Sequence, residues 1–249
     1  MTASGKFFQH YVSINDRASV WPPKQSNLQV GDYGTYKHGI FTKFGNIKQD
    51  YGVRFDVSVP QHLSNVHLEI GKISKQAYSL SGNAKVPIPE VPAEAEGEFA
   101  IEYTFHDSLS FIYYADRVSY QAMGNPQEVA RELSAKIDRE KNWDFHRYRL
   151  VLGVQNAQNS LFRMSKTKGS SLMISGSSGV VSDFVSGEIT RKLKTMHSSG
   201  DFFEAELLEG LYPIGMQLSC FTIKKESNGL HHFAQNWNHS SGVNPNMHQ

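Results

Sequence analysis

Few residues in this 249-residue chain stand at spacings that support catalysis. Gly176-Ser177-Ser178-Gly179 places two serines between glycines, but a hydrolase elbow needs Gly-x-Ser-x-Gly directly after a buried strand. A flexible polar turn is the expectation there. The 11 histidines are scattered, and His231, His232, His239 and His248 fall in a polar tail without the ligand spacing of a metal site. The single cysteine, Cys220, excludes an internal disulfide. It alternates with apolar residues and reads as a buried, inert thiol. Glu204 and Glu206 share one strand face, where solvated carboxylates are the ordinary outcome. His-Glu-x-x-His, phosphate-loop and dinucleotide-binding motifs are all missing. The residues therefore predict a protein that is not an enzyme and uses no metal or cofactor.

Composition narrows the partners. With 25 Lys and Arg against 24 Asp and Glu, the formal charge of +1 lacks the basic excess of a nucleic-acid binder. Hydrophobic residues make up 39% of the chain and the mean hydropathy is −0.44. No run approaches the ~18 apolar residues of a membrane-spanning helix, which leaves membrane-spanning strands untouched. Met1 to Phe8 contains no apolar leader, so the chain reads as intracellular.

The elements that must position any site follow from periodicity. Phe7, Phe8, Tyr11 and Ile14 predict a short helix over 5–14, ended by Trp21-Pro22-Pro23. Leu28 to Ile47 predicts a hairpin turning at Lys37-His38-Gly39, with a cationic tip. Val66 to Leu80 is apolar but broken, and the prolines of 85–97 predict an exposed linker. Phe99, Ile101, Tyr103 and Phe105 alternate with Ala100, Glu102 and Thr104, which predicts a half-buried strand. Leu109 to Tyr120 predicts an aromatic-rich second one. Asn125-Pro126-Gln127-Glu128 opens a helix whose stripe is Val129, Leu133 and Ile137. Tyr148 to Val154 alternates, the Gly/Ser-rich 166–179 predicts a polar interruption, and a helix is expected over 182–196. Segments 201–208 and 214–223 predict strands. Residues 226–249 form a polar tail, expected to be flexible, after one domain over 1–225.

Two regions, about 66–121 and 147–208, each begin and end with alternating strands around a middle poor in core residues. Such middles are surface loops in a rigid domain. In a pore former they unfurl into amphipathic hairpins with apolar residues on lipid and polar residues on water.

The order of motifs resembles the pore-forming domain of gasdermins over roughly Gly5 to Lys225. Leu28 to Asp32 and Gly39 to Ile47 look like the family's first hairpin, and Phe99 to Ser108 like its strand ending in Phe-x-Asp. Glu209 to Cys220 is similar to its proline-containing last strand. Nothing after Lys225 is large enough for the repressor that typical members carry, and no cysteine stands near the N-terminus as in bacterial members. The chain is therefore most similar to short fungal gasdermin-like regulators of allorecognition. The resemblance implies an α+β fold with a twisted antiparallel sheet and flanking helices. It implies a cytoplasmic cell-death effector that moves to the plasma membrane, binds acidic phospholipid, oligomerises with itself or an allelic variant, and inserts β-hairpins. Lys6, Phe7, Phe8, Lys37, Lys43, Lys48, Arg191, Lys192 and Lys194 are the residues that would meet lipid. Basic side chains near an anionic surface contribute ~1 kcal/mol each. The alternative is a soluble, non-catalytic protein- or ligand-binding module that uses the aromatic strands as its surface.

Overall fold

The computed structural model describes residues 5, 7, 9, 11, 18–20, 27–37, 40–80, 84–86, 97–140, 147–185, 194–200, 202–207 and 210–220. Its strands in chain order are β1 (Ala18–Ser19), β2 (Asp32–Lys37), β3 (Ile40–Asn46), β4 (Gln61–His62), β5 (Val66–Ile70), β6 (Ile73–Ser79), β7 (Ala84–Val86) and β8 (Glu98–Phe105). They continue with β9 (Phe111–Asp116), β10 (Ser119–Ala122), β11 (Tyr148–Ala157), β12 (Asn159–Ser165), β13 (Ser170–Ser177), β14 (Lys194–Ser199), β15 (Phe202–Leu207) and β16 (Tyr212–Cys220). The helices are α1 (Ile47–Asp50), α2 (Pro126–Glu140) and α3 (Ser178–Val185). Antiparallel sheet was expected and is found. The described chain is mostly sheet rather than α+β, because segments that looked like loop or helix pair as strands. No helix among the described residues is long and apolar enough to cross a membrane.

The chain divides into two compact units: 1–61 with 119–156 and 213–249, and 62–118 with 157–212. The first unit is built around β11, which follows β16 in the sheet order and pairs with β2 at Leu150↔Tyr33 and with β10 at Tyr120↔Gln155. Its core joins Ile47, Val53, Leu150, Val151 and Met216 to the α2 stripe of Val129, Leu133 and Ile137. Pro126 stands at the first position of α2, where its missing N–H costs nothing. The alternation over 148–154 predicted one buried face, yet Leu150 to Ala157 is buried on both.

In the second unit two sheets share one core. The second sheet runs β15-β12-β9-β5 and the third runs β14-β13-β8-β6-β7. Two sequence expectations fail in this unit. The polar stretch 166–179 contains β13, which pairs with β8 on one side and β14 on the other. Main-chain pairing needs no apolar side chains, so serines conceal it; Leu172 and Ile174 alone face the core. The helix expected over 182–196 instead runs from Ser178 to Val185, and Lys194 to Ser199 is a strand. There the free edge of β13 outweighs helical periodicity, since strand propensity is set largely by context.

Candidate functional site

The site of interest is the pair of long hairpins into which the second unit's strands join. Central pairing runs through both sheets in one register. Asn159↔Asp116 to Met164↔Phe111 joins β12 to β9, and Ser170↔Phe105 to Ser177↔Glu98 joins β13 to β8. Five residues intervene on each strand, so no register is lost between the sheets. The outer strands cut the corner: two residues separate Ile70↔Phe111 from Ile73↔Phe105, and two separate Ser165↔Phe202 from Ser171↔Ser199. The second sheet and, apart from β7, the third are thus two halves of one four-stranded sheet folded at a bend. β5–β6 against β8–β9 is the first long hairpin, and β12–β13 against β14–β15 is the second.

The bend passes through a glycine on each outer strand. Gly71 has φ +100 and Gly200 φ +98, a region that side chains disfavour. A Cβ on Gly71 would meet the buried Ser110 side chain, and one on Gly200 the Ser170 side chain.

Folding divides an apolar stripe. Phe99, Ile101, Tyr103 and Phe105 of β8 belong to the core between the sheets, with Ile73, Ala77, Leu172 and Ile174 beside them. The opposite face of this third sheet carries Ser74, Gln76, Glu102, Thr104 and Ser171, exposed or half-buried. Along the same strand the stripe continues as Phe111, Tyr113 and Ala115, but these lie outside that cluster. Ile112 and Tyr114 take the core positions instead. Straightening the bend would bring both halves of the stripe to one face, interrupted at Lys75, Asp107, Lys166 and Lys168.

A polar cluster closes the first hairpin at the bend. Glu69 Oε1 accepts hydrogen bonds from Tyr114 Oη at 2.7 Å and from Lys75 Nζ and His67 Nε2 at 3.0 Å. Lys75 also reaches Oε2 at 3.0 Å. The Tyr103 and Tyr114 hydroxyls lie 3.1 Å apart, and the His67 ring stacks on Tyr114 at 4.1 Å. Burial opposes the Glu69 charge, but His67, Tyr114 and Lys75 outweigh it and lower its pKa from 4.5 to about 2. Burial, followed by the charges of Tyr103 and Glu69, holds the Tyr114 phenol neutral by raising its pKa far above the ordinary value.

Since the folded carboxyl ionises more readily than the unfolded one, its stabilisation is complete above about pH 4.5 and lost as pH falls towards 2. Discounted for partial exposure, the contribution is about 2–3 kcal/mol. Urea unfolding at pH 5.5 and 2.5 should show that loss in the native chain and a much smaller one in Glu69→Gln. Equal acid losses in both proteins would exclude Glu69 as the source.

The residues expected to meet lipid are not gathered together. Phe7 is 1% exposed and packs on Tyr11 at 5.7 Å, so its ring is withheld from any surface in this conformation. Lys43 is 2.9 Å from the fully buried Asp32 carboxylate, which balances its charge. Lys37, at the end of β2, and Lys48, on α1, are exposed, and between them β3 exposes Ile40 and Phe44. Lys194 belongs to β14 rather than to a helical cluster. Lys6, Phe8, Arg191 and Lys192 lie outside the described residues, as do 221–249 and the hairpin tip at His38-Gly39. In the aromatic strands Phe99, Tyr103, Phe105, Phe111, Tyr113 and Tyr114 are all buried, and Tyr120 is half-buried. The Glu69 cluster gave no sequence signal, because its partners are up to 45 residues apart and individually ordinary.

No family model and no curated protein matches the chain. Among solved structures it is similar to a bacterial gasdermin from Bradyrhizobium tropiciagri, at 11% identity and a TM-score of 0.34 over 87% of each chain.

Proposed function

We propose that this chain is a non-catalytic pore former that docks on acidic phospholipid, assembles with further copies and inserts its two long hairpins. The observation that carries the reading is the third sheet, apolar on its core face except for Lys75 and largely polar on the other, continuous in register with the second. Swung out, its apolar face needs a new apolar partner, and lipid provides one. β8 is eight residues long. It would extend about 26 Å, comparable with a hydrocarbon core of about 30 Å. Among the described residues the second sheet ends in β5 and β15, and the third in β7 and β14. Such edges can pair with the next copy, and closure into a barrel removes them. Lys37 and Lys48, with the exposed Ile40 and Phe44, support initial docking.

The finer reading is a cell-death effector, acting at the plasma membrane from the cytoplasm and triggered by an incompatible allelic variant. It draws on the resemblance in motif order to the short fungal regulators. Dye release tests the function, using phosphatidylserine–phosphatidylcholine vesicles against phosphatidylcholine alone, with and without a divergent allelic chain. Release and ring-shaped assemblies on the acidic vesicles are expected. A chain that neither binds nor permeabilises them in any combination would end the proposal.

A further inference from the structure

The Glu69 cluster has a geometric property that its individual contacts do not reveal. Glu69 stands on β5 of the second sheet and Lys75 on β6 of the third, on either side of the Gly71 bend. Tyr114 and Tyr103 repeat the arrangement on the neighbouring strand, on β9 and β8. A third contact joins the same sheets. Phe184 of α3, a helix packed on β8 and β13, lies 4.5 Å from the Tyr114 ring.

These contacts require the bend. Lys75 lies six positions after Glu69, and Tyr114 lies 11 positions after Tyr103. In a straight strand the first pair would be about 20 Å apart and the second about 36 Å. Extension of the hairpin therefore breaks both together. Glu69 keeps Tyr114 and His67, which belong to its own sheet, but loses Lys75, and the two phenols part, which makes partial opening unfavourable.

We propose that Glu69, Lys75, Tyr114 and Tyr103 form a latch that holds the first long hairpin bent, and that its release licenses insertion; the second clause rests on the pore-forming reading. Tyr114 is the hub, since it touches Glu69, Tyr103, His67 and Phe184. Protonation of Glu69 does not open the latch in any ordinary compartment, because its carboxylate remains ionised until about pH 2. The trigger is thus a contact that competes for Lys75 or Glu69, both on the rim where the cluster meets solvent. An anionic headgroup has the chemistry to take Lys75.

Hydrogen exchange on the full-length protein, without membrane, tests the latch alone. Lys75→Met combined with Tyr114→Phe should speed exchange over 66–79 and 98–116 by about tenfold or more, leaving the α2 stripe and β11 at their native rates. Unchanged exchange in those segments, or equal acceleration throughout the chain, would overturn it. Lys75→Met alone provides the variant least able to disturb folding, because Lys75 is exposed. The same variants on phosphatidylserine-containing vesicles test the licensing step, where leakage should begin at about a tenth of the native concentration. If the native chain leaks and a locally opened variant leaks no sooner, the latch does not gate insertion. If neither leaks, the pore-forming reading falls with its gate, and exchange still decides whether the cluster holds the bend.

Discussion

Gly71→Ala is expected to lower stability by about 2–5 kcal/mol, combining backbone strain with overpacking against Ser110. The native φ is +100, and the added Cβ would lie 2.1 Å from Ser110 Oγ and 2.7 Å from its Cβ. Ser110 is fully buried and cannot swing into solvent. The two contributions can be separated. Ser110→Gly in the Gly71→Ala background removes the collision but leaves the backbone strained, so roughly half of the loss should return. Gly200→Ala should cost a similar amount, because its φ is +98 and its Cβ would meet Ser170 Oγ at 2.4 Å. Urea denaturation measures each. Variants within about 0.5 kcal/mol of the native chain would show that the bends accept a side chain after all.

Ile73→Arg is expected to reduce dye release by up to about fivefold, because arginine on the lipid face of a barrel strand costs about 0–1 kcal/mol near the interface and Ile73 pairs with Phe105 at the end of β8. Ile73 is only partly buried at the edge of the core cluster, so the water-soluble fold should tolerate the change with a modest loss. The proper control is Met173→Arg. Met173 pairs with Glu102 on the polar face of the same sheet and is half-buried. In the proposed barrel that face meets water, so the variant should leak like the native chain. Equal leakage by both arginine variants, each still folded, would remove the lipid face from the third sheet. The pair of substitutions therefore tests sidedness, which bulk binding does not.

Much of the first unit was legible in the chain itself. Alternation and glycine marked the β2–β3 hairpin, and Pro126 with a four-residue apolar stripe marked α2. These signals are local: a turn, a cap or a stripe leaves its imprint within one element. β13 and β14 were missed for the complementary reason. The serine-rich β13 carries little hydrophobic pattern and is held by pairing with β8, and β14, whose segment reads as helical, is held in turn by β13. Lys43 shows a third limit. Counting charges along the chain could not show that Asp32, 11 residues away and fully buried, already engages Lys43.

The sequence by itself determined which side chains of β8 and β9 share a face, since that parity is a property of any extended chain. It also determined that no run of residues is long and apolar enough for a helix to cross a bilayer, and that the charges nearly cancel. Only the tertiary structure decided that the shared face is cut in two, with Phe99, Ile101, Tyr103 and Phe105 turned into one core and Phe111, Tyr113 and Ala115 turned out of it. It alone brought Glu69 to Lys75 and Tyr114 to Tyr103 across the bend. The physical reason is that periodicity records how neighbouring side chains point, whereas a bend depends on backbone torsions at two glycines and on partners from distant strands. The chain's alternation made amphipathic hairpins available. The bends at Gly71 and Gly200 decided that they are stored folded.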